Sequence, residues 1–235
     1  ATGDPRIKEK MDLDQQVSKL KLIKSSYLNE KYSLEDKILK TIPQEIASCQ
    51  QRIENYAEDF KHLSINTHNN DDGFSPMIIK GITYTEKKDA GTALLECKKE
   101  CKIQEKPIGE YRGFQMSMGI SVFDQKYILV LKNKVEYRIE LDKDTFGNIQ
   151  RIDNALERID KFKENTNQRL EELKLQLEKA KEEIKKPFAQ EEELKTKSER
   201  LAILNIELNI DKDKKDKNAD EDNDLAISDS PSLSR

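Results

Sequence analysis

Tryptophan is absent from this 235-residue chain, and phenylalanine and tyrosine number seven each. Aromatic material for a large core is therefore scarce. Histidine occurs only at His62 and His68. A zinc site needs about four converging Cys or His ligands, and nothing at a usual ligand spacing completes a set with the cysteines. No metal and no cofactor is expected. The three cysteines, Cys49, Cys97 and Cys101, are odd in number and lack the spacing of a disulfide framework. They read as reduced thiols in a cytoplasmic compartment, with Cys97 and Cys101 packing as small apolar groups. The eight glycines are scattered and form neither a GxxxxGK[ST] phosphate loop nor a GxGxxG dinucleotide fingerprint. No run approaches the roughly 18 apolar residues of a transmembrane helix. The opening Ala1-Thr2-Gly3-Asp4-Pro5 has no signal-peptide core, and with no initiator Met the chain reads as a piece of a longer polypeptide.

Charge is what the sequence has in quantity. Charged residues make up 37% and the hydrophobic set 35%, with a mean hydropathy of -0.87. Ordinary domains are nearer one-quarter charged, so a single large spherical core is excluded. Net charge is only -4, which gives no strong push toward nucleic acid or acidic lipid. The signs are unevenly spread, however. Residues 211–235 carry 8 acidic and 5 basic side chains, and residues 76–140 carry 12 basic and 9 acidic ones.

Periodicity predicts a helical first segment over about 5–65. Ile46, Cys49, Ile53, Tyr56, Phe60 and Leu63 recur at steps of three and four and draw one apolar stripe. Leu13, Val17 and Leu20 form a second stripe upstream, and Leu34 and Ile38 a third. Thr41 and Gln44 have capping-box spacing, with Pro43 in the first turn, so a break is expected near 29–33 or 40–43. Turn chemistry fills 64–76. The β-branched run Met77–Tyr84 then predicts a strand, and a helix follows over 86 to about 103. Three further strands are expected at Tyr111–Val122, Lys126–Leu131 and Val135–Leu141. From about Gly147 the helical period returns through Ile149, Ile152, Leu156, Ile159, Phe162, Leu170, Leu173, Leu177, Ala180 and Ile184, with polar Thr166 in the seam. Pro187 stops that helix near Lys186. A last helix, about 189–209, carries Leu194, Leu201, Leu204 and Leu208.

No catalytic constellation is visible. The Glu191-Glu192-Glu193 run reads as a solvated helix face. In GEYRGFQ, Arg112 and Phe114 flank Gly113, and two readings stand. One sets a guanidinium and a ring beside a nucleic-acid backbone; the other is a turn glycine followed by a core phenylalanine.

Several separated segments also share a resemblance. TGDPRIKEKMDLD, VSKLKLIKSSY, YSLEDKI, IIKGITYTEKKDAGTALL, IGEYRGF, VEYRIELDKDTFGNIQRIDNALERI and KPFAQEEELKTKSERLAILNIEL resemble, in the same order, a region just beyond the helicase core of very large bacterial proteins. Those are superfamily-two DNA helicases of the Swi/Snf type, often joined to an adenine-specific DNA methylase half and frequently carried on mobile elements. The resemblance reaches to about residue 210. It carries over Gly81, Tyr84, Gly109, Tyr111, Gly113, Phe114, Gly147, Asn148, Arg151, Pro187 and Phe188 as motif positions without assigning them roles. The ATP-binding and methyl-transferring residues of that group lie upstream and have no counterparts here.

The expected fold is α+β: a long antiparallel coiled-coil stalk, a small inserted αβ unit of about four strands and one helix, and a disordered C-terminal tail. The parts are a first helical arm (1–65), the αβ unit (76–145), a second arm (147–210) and the acidic tail (211–235). The expected function is that of a non-catalytic, cytoplasmic accessory region of an ATP-dependent DNA helicase or translocase. Its partners would be DNA and the helicase core in cis, with no membrane and no small-molecule substrate. Lys80, Lys87, Lys88, Arg112 and Arg151 are the candidate nucleic-acid contacts. The alternative is a structural module for oligomerisation or docking.

Overall fold

Two glycines decide the sheet. A computed structural model describes residues 4–68, 73–123 and 125–227, with the backbone alone for 211–227. In it the run Met77–Tyr84 is a hairpin, β1 (Met77–Ile79) and β2 (Ile82–Tyr84), turning at Lys80 (φ 49°) and Gly81 (φ 80°). The run from 106 to 120 is a second hairpin, β3 (Lys106–Tyr111) and β4 (Phe114–Ile120), turning at Arg112 (φ 49°) and Gly113 (φ 80°). Positive φ at both central residues defines the two-residue turn whose twist matches that of paired strands. Strands β5 (Tyr127–Lys132) and β6 (Glu136–Leu141) complete a six-stranded, fully antiparallel sheet in the order β2-β1-β3-β4-β5-β6. The register shifts between Pro107 and Gly109, where a Cβ on Gly109 would lie 1.8 Å from the Ile78 carbonyl oxygen.

The helices are α1 (Pro5–Asp36), α2 (Ile42–Asn66), α3 (Lys87–Lys99), α4 (Thr145–Glu157), α5 (Ile159–Glu183) and α6 (Glu191–Ile227). Between α1 and α2 the chain stays helical through a π-turn, Lys37–Thr41, and Thr41 makes no side-chain cap. Pro43 lacks an N–H and its ring crowds the preceding turn, and a π-bulge absorbs such a defect without ending the helix. The N–H groups a cap would serve are already supplied by the upstream turn.

The chain divides into two units, Lys40–Glu178 and the remainder, up to Leu39 and from Lys179 onward. In the sheet unit, β6 alternates buried and exposed residues, and Tyr137, Ile139 and Leu141 point inward. They join Met77, Leu94, Tyr111, Phe114, Met116, Leu129 and Leu131, with Ile149, Ile152 and Leu156 of α4 in the same buried cluster. Tyr56 and Leu63 of α2 and Ile159 of α5 enter that cluster too. A second, smaller cluster joins Ile42 and Cys49 of α2 to Leu170 and Leu173 of α5. In the other unit α1 and α6 pack through Val17, Leu20 and Leu194, with Phe188 and Leu201 alongside. Ion pairs Glu9–Arg200 and Lys24–Glu191 set the pair antiparallel.

The expected architecture is corrected in three respects. The sheet has six strands, not four: the run Met77–Tyr84 folds into a hairpin at Lys80-Gly81, and β3 occupies Lys106–Tyr111, upstream of the expected strand Tyr111–Val122, where no strand was expected. The helices do not form a long coiled-coil stalk. The seam between α2 and α5 belongs to the sheet unit, since the α2 stripe continues from Cys49 into Tyr56 and Leu63 beneath the sheet. Nor does order end at 211: the α6 backbone remains helical to Ile227, consistent with propagation being cheap once a helix is nucleated. Residues 228–235 of the expected tail lie outside the described residues.

Candidate functional site

Three polar side chains, all but sealed from solvent or held close to the core, organise the sheet unit, and each is satisfied. Asp59 of α2, 0% exposed, accepts hydrogen bonds from the Asn133 amide (2.9 Å), the Lys134 and Val135 backbone N–H groups (2.9 and 3.0 Å) and the Tyr137 hydroxyl (2.7 Å). One carboxylate thereby clamps the whole β5–β6 turn. Burial and the adjacent Asp59 push the Tyr137 phenol far above its ordinary range.

Asp153 of α4 is the second. It accepts from the Tyr111 hydroxyl at 2.7 Å and faces Arg112 at 3.6 Å. Burial raises its carboxyl above the usual range, against the opposing pull of Tyr111, Arg112 and Lys87. Asn148 is the third. Its side-chain oxygen accepts from the Asp142 N–H (2.8 Å) and from Arg151 (3.0 Å), and its amide donates to the Asp142 carbonyl (3.0 Å).

These anchors place the five expected contact residues differently. Lys80 sits at the first hairpin turn and ion-pairs with Glu100 at 2.6 Å, which lifts the ammonium's pKa and lowers the carboxyl's. Arg112 is only 11% exposed and donates to Thr67 Oγ1 at 2.9 Å as well as facing Asp153. Its neighbour Gly113 gives its carbonyl to His62 Nε2 at 2.8 Å, and Phe114 is fully buried. The GEYRGFQ motif is therefore a turn gripped by the end of α2. Lys87 opens α3 and acts electrostatically on the same Asp153, whereas Lys88 faces solvent. The structure thus gathers Arg112 and Lys87 about one carboxylate and leaves Lys80, Lys88 and Arg151 apart.

Two of the five line cavities: Lys80 borders a hollow of about 500 Å³ with Ile78, Gly109 and Gln115, and Arg151 borders a groove beside the edge strand. That groove, of about 520 Å³, lies beside β6, walled by Arg138, Glu140 and Asp142 of the strand and its end and by Arg151, Arg158 and Phe162 of the helical side. A smaller hollow of about 190 Å³ shares Arg138, Ala155 and Phe162 with it and reaches Val135 and Tyr56. Together they follow the edge strand along its length. Each guanidinium is differently held. Arg151 is oriented by buried Asn148 and lies 3.6 Å from Asp142. Arg138 ion-pairs with Glu105 and stands 3.7 Å from Glu136. Among the described residues nothing pairs with the Arg158 side chain. Phe162 stacks one side of its ring toward Tyr137, with centroids 6.4 Å apart, yet remains 38% exposed.

Arg138, Arg158 and Phe162 were not among the expected site residues. A signal was present: Arg151, Arg158 and Phe162 recur at steps of seven and four, yet the sequence reading takes only Arg151 as a contact and only Phe162 as part of the apolar seam. What the groove offers chemically is a row of anion-binding donors and an accessible ring. Among the described residues no cluster of three or more His, Cys, Asp or Glu side chains is placed to hold a metal. Among the described residues, too, no helix is long and apolar enough to cross a membrane. Compared with family models, with curated proteins and with solved structures, the chain matches none of them.

Proposed function

We propose that this chain is a non-catalytic accessory region of an ATP-dependent DNA helicase or translocase, working in the cytoplasm beside a helicase core in cis. Its role is to hold DNA while the motor acts. In the resembling group, an adenine-specific DNA methylase half is often joined to that core. The observation that carries the reading is the groove beside β6, where Arg138, Arg151 and Arg158 present guanidinium groups suited to phosphate. The ordered resemblance of separated segments supplies the context. Glu140 and Asp142 on the same wall temper the positive field, so contact is expected to be weak and salt-sensitive.

Fluorescence anisotropy of the whole chain with labelled DNA at two salt concentrations tests this. Affinity falling with salt supports phosphate contact; tight binding indifferent to salt, or none at low salt, rejects it. The coding sequence upstream of Ala1 tests the context, because helicase motifs there support it and an immediate start codon overturns it.

A second reading rests on a separate observation. In α1 and the turn after it, Ile7, Met11, Leu22, Tyr32 and Leu39 are at least half exposed, and grouped apolar exposure marks interaction surfaces. On that reading the chain is an oligomerisation or docking module. Sedimentation equilibrium discriminates: a monomer at all concentrations removes the oligomerisation form.

A further inference from the structure

The shape of the groove narrows the kind of nucleic acid it accepts. Its two hollows share Arg138, Ala155 and Phe162 and so run on along β6, an edge strand of six residues. That is about 20 Å of extended backbone. Arg151 and Arg158 stand seven positions apart, roughly 10 Å along a helix axis, which suits neighbouring phosphates of one strand better than one phosphate. Phe162 lies in the wall shared by both hollows, with the Tyr137 and Tyr56 rings 6.4 and 6.1 Å away, and it remains 38% exposed to the groove's solvent. A base inside a duplex is already stacked on its neighbours and cannot lie flat on a recessed ring; an unpaired base can.

Resting on the DNA reading above, we infer that the groove beside β6 binds single-stranded nucleic acid, with phosphates on Arg138, Arg151 and Arg158 and one base stacked on Phe162. Each partner has its own measurable signature. The arginines set the salt dependence, because every neutralised phosphate releases counterions; three contacts give a log–log slope of about -2 for a single strand. Phe162 contributes stacking, which is worth about tenfold or more in affinity and is nearly independent of salt. Buried Asn148 positions Arg151 and touches no ligand itself.

The test uses the whole chain and a labelled oligothymidine of about 12 nucleotides, within the site sizes of such grooves, with a duplex of equal length for comparison. The expected result is a single-strand preference of about tenfold. Phe162→Leu, which keeps apolar volume beneath the sheet, lowers single-strand affinity about tenfold without changing the slope, and Arg158→Gln reduces the slope by about 0.7. Thermal melts show that both variants fold. A bromouracil-substituted strand adds a readout on the unaltered protein, its photocrosslink mapping to Phe162 or an adjacent residue. Equal affinity for duplex and single strand, or crosslinks only elsewhere, overturns this inference and leaves the DNA reading standing. Displacement of the strand by polyglutamate of equal charge, with Phe162→Leu silent, overturns it in favour of an acidic peptide. Binding of neither nucleic acid at low salt overturns both.

Discussion

The sheet unit and the α1–α6 pair draw on one composition and use it differently. In the sheet unit, alternate strand residues enter a layer roofed by helices, so Met77, Leu94, Phe114, Leu129, Leu131, Ile152 and Leu156 reach 0% exposure. Helix α1 has 32 residues, and its buried ones are Val17 and Leu20. Two helices touch along one line. Apolar residues off that line stay wet, as Ile7, Met11, Leu22, Ile203 and Ile206 do. Polar groups diverge likewise. The sheet unit takes Asp59 and Asn148 inside and satisfies them completely, whereas the helix pair is tied by exposed ion pairs such as Glu9–Arg200, which contribute little in water. Layering, rather than apolar content, separates a well-defended core from a marginal one.

The strongest way to break that contrast is at Asp59. Asp59→Ala strands four donors in a sealed site and should cost the sheet unit about 4 kcal/mol, on the scale for removing one partner of a buried charged network. Urea unfolding followed by near-ultraviolet tyrosine signal measures it, and a loss under about 1 kcal/mol would show that the clamp is not needed. Next comes Leu204→Ala in α6, where the side chain is fully buried. A loss of about 3 kcal/mol is expected, confined to the helix pair; hydrogen exchange that opened β4–β6 equally would merge the two units energetically.

A smaller effect concerns Asp153. Its folded pKa lies above the unfolded value, so the folded state holds the proton more tightly. The stability from this group is fully present below the ordinary pKa of about 3.9 and is lost as pH rises past it. Asp153→Asn abolishes that dependence, so the variant gains on the wild type over the interval in which pH rises past the ordinary carboxylate value. A gain by the wild type over that interval would mean that Arg112 outweighs burial. Smallest of all, Glu9→Gln should barely move the thermal midpoint of the helix pair, and should do so least at high salt. A shift as large as that of Leu204→Ala would contradict the low standing given to surface ion pairs.

How legible these features were depended on what made them. The α2 stripe is an example of a signal that one helix carries alone: Cys49, Tyr56 and Leu63 are buried at the predicted spacing, while Phe60 of the same stripe is 44% exposed because no element covers it. Strand identity was likewise visible in β-branched composition. Strand number was not: Lys80-Gly81 interrupts a run that otherwise reads as continuous, and β3 lies in a stretch whose Pro107 and Gly109 give no strand signal. The stalk went wrong for a related reason. A three-four period records which face is buried, not whether a helix or a sheet buries it. The groove could not be read from one segment, since Arg138 comes from the sheet edge and Arg158 from the end of α4. Asp59 gave no sign in the sequence at all. Its partners lie 74 to 78 positions downstream.

That separation bears on how the polypeptide matures. Because synthesis proceeds from the amino end, α2 emerges long before residue 137, and until then the carboxylate of Asp59 has only water to bind. The neighbouring β5–β6 hairpin, by contrast, can close as soon as its own few residues are out. Joining the two is a distant pairing, the kind that closes slowly and sets the pace for the rest. Nascent chains arrested before Tyr137 should therefore display α2 to protease, and chains a few dozen residues longer should protect it.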